Sequence, residues 1–200
     1  AVGQLDSSSG NLLIKTNGNK SGVRFDTDSF TPFKNGSEID AGVDLGYGGG
    51  RYGQLFASSA SINTSDETEK QNIETFTDTE MKVAKKVSAL FKKYKWKTAV
   101  SEKGDSARTH SGIIAQEVQS AFKEEGLDAS KYGLWCSDTW WEKDDTYIDD
   151  DGKEQPTTHK WRKKEEAPSG ATEVTRLGIR YAELISFICA YNEQRFASIE

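Results

Sequence analysis

A serine and a lysine stand five residues apart in the segment Thr64-Ser65-Asp66-Glu67-Thr68-Glu69-Lys70. A serine hydroxyl becomes a useful nucleophile when a base removes its proton, and a lysine amine can be that base at neutral pH where burial lowers its pKa. The hydroxyl of Ser65 directly follows the Thr64–Ser65 peptide bond, so the carbonyl of that bond is within its reach. Ser65 and Lys70 are therefore candidates for a pair that cuts its own chain.

The same segment also has a purely structural interpretation. A separation of five residues does not put two side chains on one face of a helix, so the backbone must turn before they can meet. Thr64 and Glu67 match a capping-box pattern, and Ser65 or Asp66 could simply cap a turn. Taken alone, so short a pattern favours this second interpretation.

A second segment, His110-Ser111-Gly112-Ile113-Ile114-Ala115-Gln116-Glu117-Val118, contains further polar candidates. His110 is either a strand residue whose ring donates to a nearby carbonyl or a group that orients or polarises atoms at a cut. Gln116 and Glu117 begin an expected helix, where their side chains can interact with exposed amides and the helix dipole.

Composition argues against several classes of function. The net charge is −6 and both signs are interspersed, so we expect no nucleic-acid partner. No apolar run approaches the roughly 18 residues of a membrane-spanning helix, so we expect no membrane insertion. The first residues show neither a secretory signal nor an initiator methionine, and we expect the chain to be a piece of a longer protein.

The residues that commonly hold metals and phosphates are sparse. Cys136 and Cys189 are the only cysteines, and together with His110 and His159 they form no metal-ligand motif. Gly48-Gly49-Gly50 lacks the lysine and the following helix of a phosphate-binding loop. We therefore expect no metal and no cofactor, and we expect both thiols to be buried and reduced.

The chain changes character near residue 64. Eleven of the eighteen glycines lie in residues 1–64, where short apolar runs such as residues 11–15 and 22–25 alternate with turn clusters. This pattern predicts brief β-strands joined by tight turns. Such strands are too short to bury a core alone, so we expect them to associate with copies from other chains.

Residues 65–200 have the pattern of a mixed helix and strand domain, so the expected fold class is α+β. The last helix is apolar over a wide arc and only 34% of the chain is apolar, which favours burial against sister subunits. The predicted elements are helices over residues 78–93, 115–125 and 181–197, strands over 94–100, 110–115, 132–138 and 174–180, and an exposed hairpin or loop over 142–173.

Four stretches of this sequence resemble, in the same order, a known family: the intramolecular chaperone auto-processing domain at the C-terminus of phage tail spikes, tail fibres and neck appendages. The resemblance covers residues 43–200, and its third stretch is the most specific. The stretches are Asp44-Leu45-Gly46 with Arg51-Tyr52-Gly53-Gln54-Leu55-Phe56-Ala57, the segment from Thr64 to Lys70 with Asn72-Ile73, the segment from His110 to Val118, and Gly178-Ile179-Arg180-Tyr181-Ala182-Glu183-Leu184.

The resemblance implies a short-stranded, fibre-like segment over residues 1–64, followed over residues 65–200 by an α+β chaperone domain with a long C-terminal helix, the whole forming an intertwined homotrimer. In this interpretation the domain drives folding of the upstream segment and then releases itself by cutting between Thr64 and Ser65. Ser65 is the implied nucleophile and Lys70 the implied base. Glu69 stands where the family often has an apolar residue.

The resemblance further implies that Asp66 and His110 orient the site or stabilise the oxyanion. It places the mature fibre in the virion tail, where it can meet a host surface receptor, and the released domain in the host cytoplasm during assembly. The alternative is a structural or receptor-binding fibre tip that stays uncut, in which surface aromatics such as Trp140, Trp141 and Trp161 contact a host glycan.

Overall fold

The computed structural model describes residues 3–8, 10–16, 21–57 and 65–199, which fall into two compact units, Ala1–Gly53 and Gln54–Glu200. The predicted boundary between residues 64 and 65 stays a prediction, because residue 64 lies outside the described ranges. The α+β class is confirmed, since the first unit is a small sheet and the second combines helices with two sheets.

The first unit is an antiparallel five-stranded meander in which each strand pairs with the next along the chain. Asn35 and Gly36 both have positive φ, 55° and 88°, which is the backbone of a two-residue hairpin turn and explains the Asn-Gly pair. The predicted brief strands are thus confirmed. They are β1 (Gln4–Ser8), β2 (Asn11–Lys15), β3 (Gly22–Phe25), β4 (Phe30–Lys34) and β5 (Ser37–Glu38).

The two faces of this sheet differ. Leu13 and Phe33 are buried on one face, whereas Leu5, Leu12 and Phe30 are exposed large apolar side chains. A five-stranded sheet of such short strands therefore buries little of its own apolar surface within one chain.

The described part of the second unit contains four α-helices and five strands. In chain order they are α1 (Asp78–Ser88), β6 (Lys92–Tyr94), α2 (Lys97–Lys103), β7 (His110–Gly112), α3 (Ala115–Glu124), β8 (Trp135–Ile148), β9 (Glu154–Trp161), β10 (Thr172–Ile179) and α4 (Tyr181–Ala197). β8 lies between β10 and β9 in an antiparallel sheet, and β6 pairs with β7 in a separate two-stranded ladder.

Helix α1 begins with a complete capping box. Thr77 Oγ1 accepts the Glu80 N–H, and the Glu80 carboxylate accepts the Thr77 N–H at 2.7 Å. The predicted extent of this helix to residue 93 is wrong, because the chain leaves the helix at Ala89 and residues 92–94 pair with β7. Tertiary strand pairing here overrides the helical periodicity of the sequence.

The predicted strand over residues 94–100 is also wrong beyond its first residue. Only Tyr94 belongs to a strand, opposite His110, and Lys97 begins the short helix α2. β7 is three residues long and offers no further partner for an extended chain. The alternating polar and apolar residues therefore continue as an exposed helix.

One apolar core holds the second unit together. It combines the inner faces of α1, α3 and α4 with the start of β8, and the rings of Phe122 and Phe187 stack with centroids 6.1 Å apart. Trp135 closes one side, since its Nε1 donates to the Ala115 carbonyl at 3.0 Å. α3 closely matches its prediction and ends before Gly126, whose φ of 76° suits glycine after a helix.

The long β8–β9 hairpin extends beyond the third strand of its sheet. β10 pairs with residues 135–142 of β8, so residues 143–148 pair only with β9, and the connecting turn contains Gly152 at positive φ. The predicted exposed hairpin is confirmed. The predicted strand over residues 132–138 is real but starts at Trp135 and is twice as long, because β9 and β10 both give it partners.

Helix α4 matches its prediction at both ends, and Leu184 and Phe187 are its buried residues. The expectation of two buried thiols is wrong for the single chain. Cys136 is half-buried and Cys189 is exposed on α4, and both are free. Among the described residues no helix is long and apolar enough to cross a membrane.

Candidate active site

Residues 65–70 form one tight turn. Residues Glu67–Glu69 make a single turn of 3₁₀-helix, the backbone N–H of Lys70 donates to the Glu67 carbonyl at 3.0 Å, and the N–H of Glu69 donates to the Asp66 carbonyl at 3.3 Å. The alternative that Asp66 caps a turn is therefore confirmed. Its Oδ1 accepts the Thr68 N–H at 2.9 Å and the Thr68 hydroxyl at 2.7 Å.

This turn brings the two principal candidates together. Lys70 Nζ donates to Ser65 Oγ at 2.6 Å and to the Ser65 carbonyl at 3.3 Å. A separation of 2.6 Å is within the range in which a proton passes between a hydroxyl and an amine. The five-residue spacing is thus bridged by a turn, as the sequence required.

The pair is open to solvent in the single chain, where Ser65 and Lys70 are both exposed. A lysine that acts as a base at neutral pH needs its charged form disfavoured, and desolvation is the usual cause. The geometry for proton transfer is therefore present, whereas the dry environment is not supplied by the described residues of one chain.

Asp66 is held as a charged acceptor. The hydroxyl of Thr68 and then its backbone N–H lower the pKa of the Asp66 carboxyl, while burial acts weakly in the opposite direction. A charged carboxylate has no hydrogen to give to an oxyanion. The geometry accordingly favours orientation of the turn over oxyanion stabilisation as the role of Asp66.

His110 lies at the start of β7 in an exposed aromatic cluster. Its ring stacks on Tyr94 with centroids 5.9 Å apart and meets the edge of Trp96 at 6.3 Å. Within the described ranges no hydrogen bond or ring contact joins His110 to Ser65 or Lys70. The structure of one chain therefore brings Ser65, Asp66 and Lys70 together but does not add His110 to them.

Polar residues at both ends of α3 line a neighbouring groove between α1 and α3, among them Gln116, Glu117 and Glu124. Glu117 forms an ion pair with Lys92, and Lys86 binds Glu124 and Glu125 at 2.8 Å each. These contacts tie α3 to α1 and β6. They give Glu117 a structural role that its sequence position at a helix start already suggested.

Two further predictions concern the residue before the cut and the binding of a metal ion. Thr64, the predicted residue before the cut, lies outside the described residues. In the described part of the chain no three His, Cys, Asp or Glu side chains are grouped so that they could hold a metal ion.

The tryptophans proposed for glycan contact are not all on the surface. Trp140 is only 1% exposed, its Nε1 donates to Glu142 at 3.0 Å, and the Arg176 guanidinium lies 4.9 Å from its ring centroid. The expectation of a surface Trp140 is wrong. Trp141 and Trp161 are half-buried and stand opposite each other in the β8–β9 ladder.

The chain is similar to known proteins in sequence and in fold. A family profile described as "Chaperone of endosialidase" matches residues 65–127 and begins at the serine of the pair. A "Probable tail spike protein" of Klebsiella phage 0507-KN2-1 is 34% identical over 154 residues, which is 73% of this chain and 12% of the relative. The chain thus spans about an eighth of the length of that curated relative.

Two solved structures share the fold. One, titled as a novel intramolecular chaperon, is 31% identical, has a TM-score of 0.52, and is matched over 99% of its length by 67% of this chain. The other is the carboxy-terminal domain of the bacteriophage T5 L-shaped tail fibre with its intramolecular chaperone domain. It is 22% identical with a TM-score of 0.63, and the match covers 99% of this chain and 54% of that one.

The fold and these relatives define an intramolecular chaperone domain of the phage tail-fibre and tail-spike class. The chain belongs to the chaperone of endosialidase family. The resemblance seen in the four sequence stretches is thereby confirmed.

Proposed function

We propose that this chain is a self-cleaving intramolecular chaperone, which assembles as a homotrimer, guides folding of an upstream tail fibre or spike, and then releases itself by cutting between Thr64 and Ser65. The observation that carries the proposal is the 2.6 Å contact between Lys70 Nζ and Ser65 Oγ. The family and the phage tail proteins among its relatives supply the context.

The proposed reaction begins when neutral Lys70 Nζ takes the proton of Ser65 Oγ. The oxygen attacks the carbonyl carbon of Thr64, and the C–N bond of the Thr64–Ser65 peptide breaks while the leaving nitrogen receives the proton from Lys70. An ester between Thr64 and Ser65 Oγ remains, which water hydrolyses to a Thr64 carboxylate and a free Ser65 hydroxyl. A nucleophile adjacent to the scissile carbonyl gains rate from proximity.

Assembly would supply the dry environment that the described residues of one chain do not provide. Because Ser65 and Lys70 are exposed, their environment must become drier before lysine can act as a base near neutral pH. A surface of a neighbouring chain that covers the turn would exclude water from it, disfavour the charged form of the lysine and start the reaction. Cutting would then follow assembly, which protects the upstream fibre from premature loss of its chaperone.

The exposed side of α4 supports the association of chains. Tyr181, Ile185, Cys189 and Phe196 recur at four- and seven-residue steps and are exposed, next to the buried arc that contains Leu184. Apolar side chains that follow one side of a helix in this way are typical of a helix–helix interface. We propose that this stripe packs against the same stripe of two sister chains.

The proposed locations follow from the two products. The upstream part stays in the virion tail as the mature fibre or spike, where it can meet a host surface receptor, and the released domain remains in the host cytoplasm during assembly. These assignments rest on relatives that are named as phage tail proteins.

The test is expression of the chain followed by denaturing electrophoresis and mass spectrometry. Wild type should give two fragments whose masses place the cut between residues 64 and 65, whereas Ser65→Ala should give one intact band. Lys70→Arg is the sharper second variant, because guanidinium keeps the charge and can donate to Ser65 but cannot become a base at neutral pH. We expect Lys70→Arg to assemble normally and to stay uncut.

A matched control is Lys131→Arg, in a similar 3₁₀ turn that ends at an exposed lysine. It should cleave like wild type. Intact wild-type polypeptide after assembly and long incubation would refute self-cleavage, and cleavage of Lys70→Arg at the wild-type rate would remove Lys70 from the mechanism.

A further inference from the structure

Thr68 holds together the turn that joins the proposed nucleophile to its base, although the sequence pattern alone did not single it out. Both polar hydrogens of this residue, one on the backbone nitrogen and one on the hydroxyl, go to the same oxygen, Oδ1 of Asp66. The backbone of Glu67–Glu69 forms the 3₁₀ turn that brings the Lys70 side chain back to Ser65. The described hydrogen bonds of Thr68 go to Asp66 and not to Ser65 or Lys70.

The described hydrogen bonds that fix this turn all come from within it: the Thr68 bonds, two backbone bonds and the contacts of Lys70 Nζ with Ser65. All six residues of 65–70 are exposed, and the described hydrogen bonds and ion pairs of their side chains stay within the segment. Core packing therefore cannot hold Lys70 in place. The position of its amine depends on local hydrogen bonds, which include the two from Thr68 to Asp66.

We propose that Thr68 is a positioning residue for self-cleavage, which acts through Asp66 to keep the Lys70 amine within proton-transfer distance of the Ser65 hydroxyl. The inference rests on the proposed function and adds a residue to it. The same two bonds stabilise the charged form of the Asp66 carboxyl and lower its pKa, because both of them end on its Oδ1.

The same chain provides a matched turn elsewhere. Asp128 caps residues Ala129–Lys131, and its Oδ1 accepts the Ser130 N–H at 2.9 Å, with the Ser130 hydroxyl as a second donor. This turn belongs to the domain core, because Ala129 is buried. Ser130→Ala thus removes an equivalent hydroxyl bond without touching residues 65–70.

The experiment measures single-turnover cleavage of the assembled full chain, started from material kept uncut at low pH and followed by fragment appearance. Thr68→Val removes the hydroxyl at nearly constant shape, and we expect the rate constant to fall about threefold to tenfold, the range for loss of one capping bond. Thr68→Ser keeps the hydroxyl and should restore most of the rate. Ser130→Ala should cleave like wild type.

A spectroscopic readout separates positioning from general loosening of the fold. Carbon NMR of the Asp66 carboxyl in a Ser65→Ala background should show its pKa rising toward the ordinary value in Thr68→Val and staying low in Thr68→Ser. Oligomeric state and unfolding midpoint should not change in either Thr68 variant.

The outcomes distinguish the two levels of the argument. If wild type is never cut, the proposed function fails. If wild type is cut and Thr68→Val is cut equally fast, only the inference on Thr68 fails. Equal slowing by Thr68→Val and Ser130→Ala, or no rescue by Thr68→Ser, would also overturn it.

Discussion

Two adjacent residues of α4 should respond to truncation in opposite ways. Leu184 is fully buried in the core of one chain, whereas Ile185 is 52% exposed on the apolar stripe proposed to meet sister chains. Leu184→Ala should therefore weaken the fold of the single chain. Ile185→Ala should leave that fold intact and weaken assembly.

The magnitudes follow from burial. Truncating a buried leucine typically costs about 2–5 kcal/mol of unfolding free energy, because transfer and cavity costs add. Full burial of an isoleucine contributes about 1.5–3 kcal/mol, so covering the exposed half of Ile185 contributes roughly 0.8–1.5 kcal/mol per chain. The three chains together lose roughly 2.5–4.5 kcal/mol of assembly free energy. Alanine has a higher helix propensity than isoleucine, so the substitution adds no helix-propensity cost to this loss.

The assay is mass photometry over a dilution series, with urea unfolding of dilute protein as the second measurement. Trimer formation depends on the third power of monomer concentration, so the loss at Ile185 should raise the half-assembly concentration roughly tenfold to fortyfold. Unfolding of the dilute Ile185→Ala chain should stay closer to wild type than that of Leu184→Ala, because Ile185 is only half covered in the single chain. Wild-type assembly by Ile185→Ala at every concentration would refute the role of the stripe.

The remaining predictions concern acid stability and the position of the stripe. Burial raises the pKa of Glu80, but hydrogen bonds from Thr77 and Tyr132 outweigh it and hold the pKa below 4.5, so stability present above pH 4.5 should be lost as the pH falls further. Glu80→Gln should flatten this pH dependence of stability, measured by urea unfolding between pH 5 and about 3. An unchanged slope of stability against pH would contradict the assignment to Glu80. In the assembled Cys136→Ser variant, a three-armed maleimide should join Cys189 to its copies and give a cross-linked trimer on a denaturing gel. Cys189→Ser is the unreactive control. If only modified monomer appeared, Cys189 would lie away from the interface.

The sequence predicted elements well where periodicity and packing agree. The helix over residues 181–197 has apolar side chains on most of its turns and ends where expected, and the Asn-Gly pair at residues 35–36 marked its hairpin turn. Prediction from the sequence failed for residues 89–100, because β7, the partner of β6, lies eighteen residues further along the chain. Local patterns do not report such a distant pairing.

The sequence indicates which residue types at the site could react, but not which hydrogen bonds hold them in place. The sequence marks Ser65 and Lys70 as candidates for a nucleophile and its base, and the structure brings Ser65 Oγ and Lys70 Nζ within 2.6 Å. The sequence allows Asp66 either to cap the turn or to act at the reacting atoms, and in the structure its carboxylate accepts the Thr68 hydroxyl. An Asp-x-Thr sequence is the local signal for such a cap, although its frequency in ordinary turns makes it weak evidence on its own.

The hydrogen-bonded turn from residue 65 to residue 70 lies wholly on one side of the proposed cut. Serine, lysine and the threonine that aligns them would depart together with the released fragment, while the carbonyl they act on would stay behind as a carboxylate. The mature fibre would then carry no remnant of the apparatus that shaped it, and the departing fragment, intact but parted from its single substrate, would have nothing left to cut.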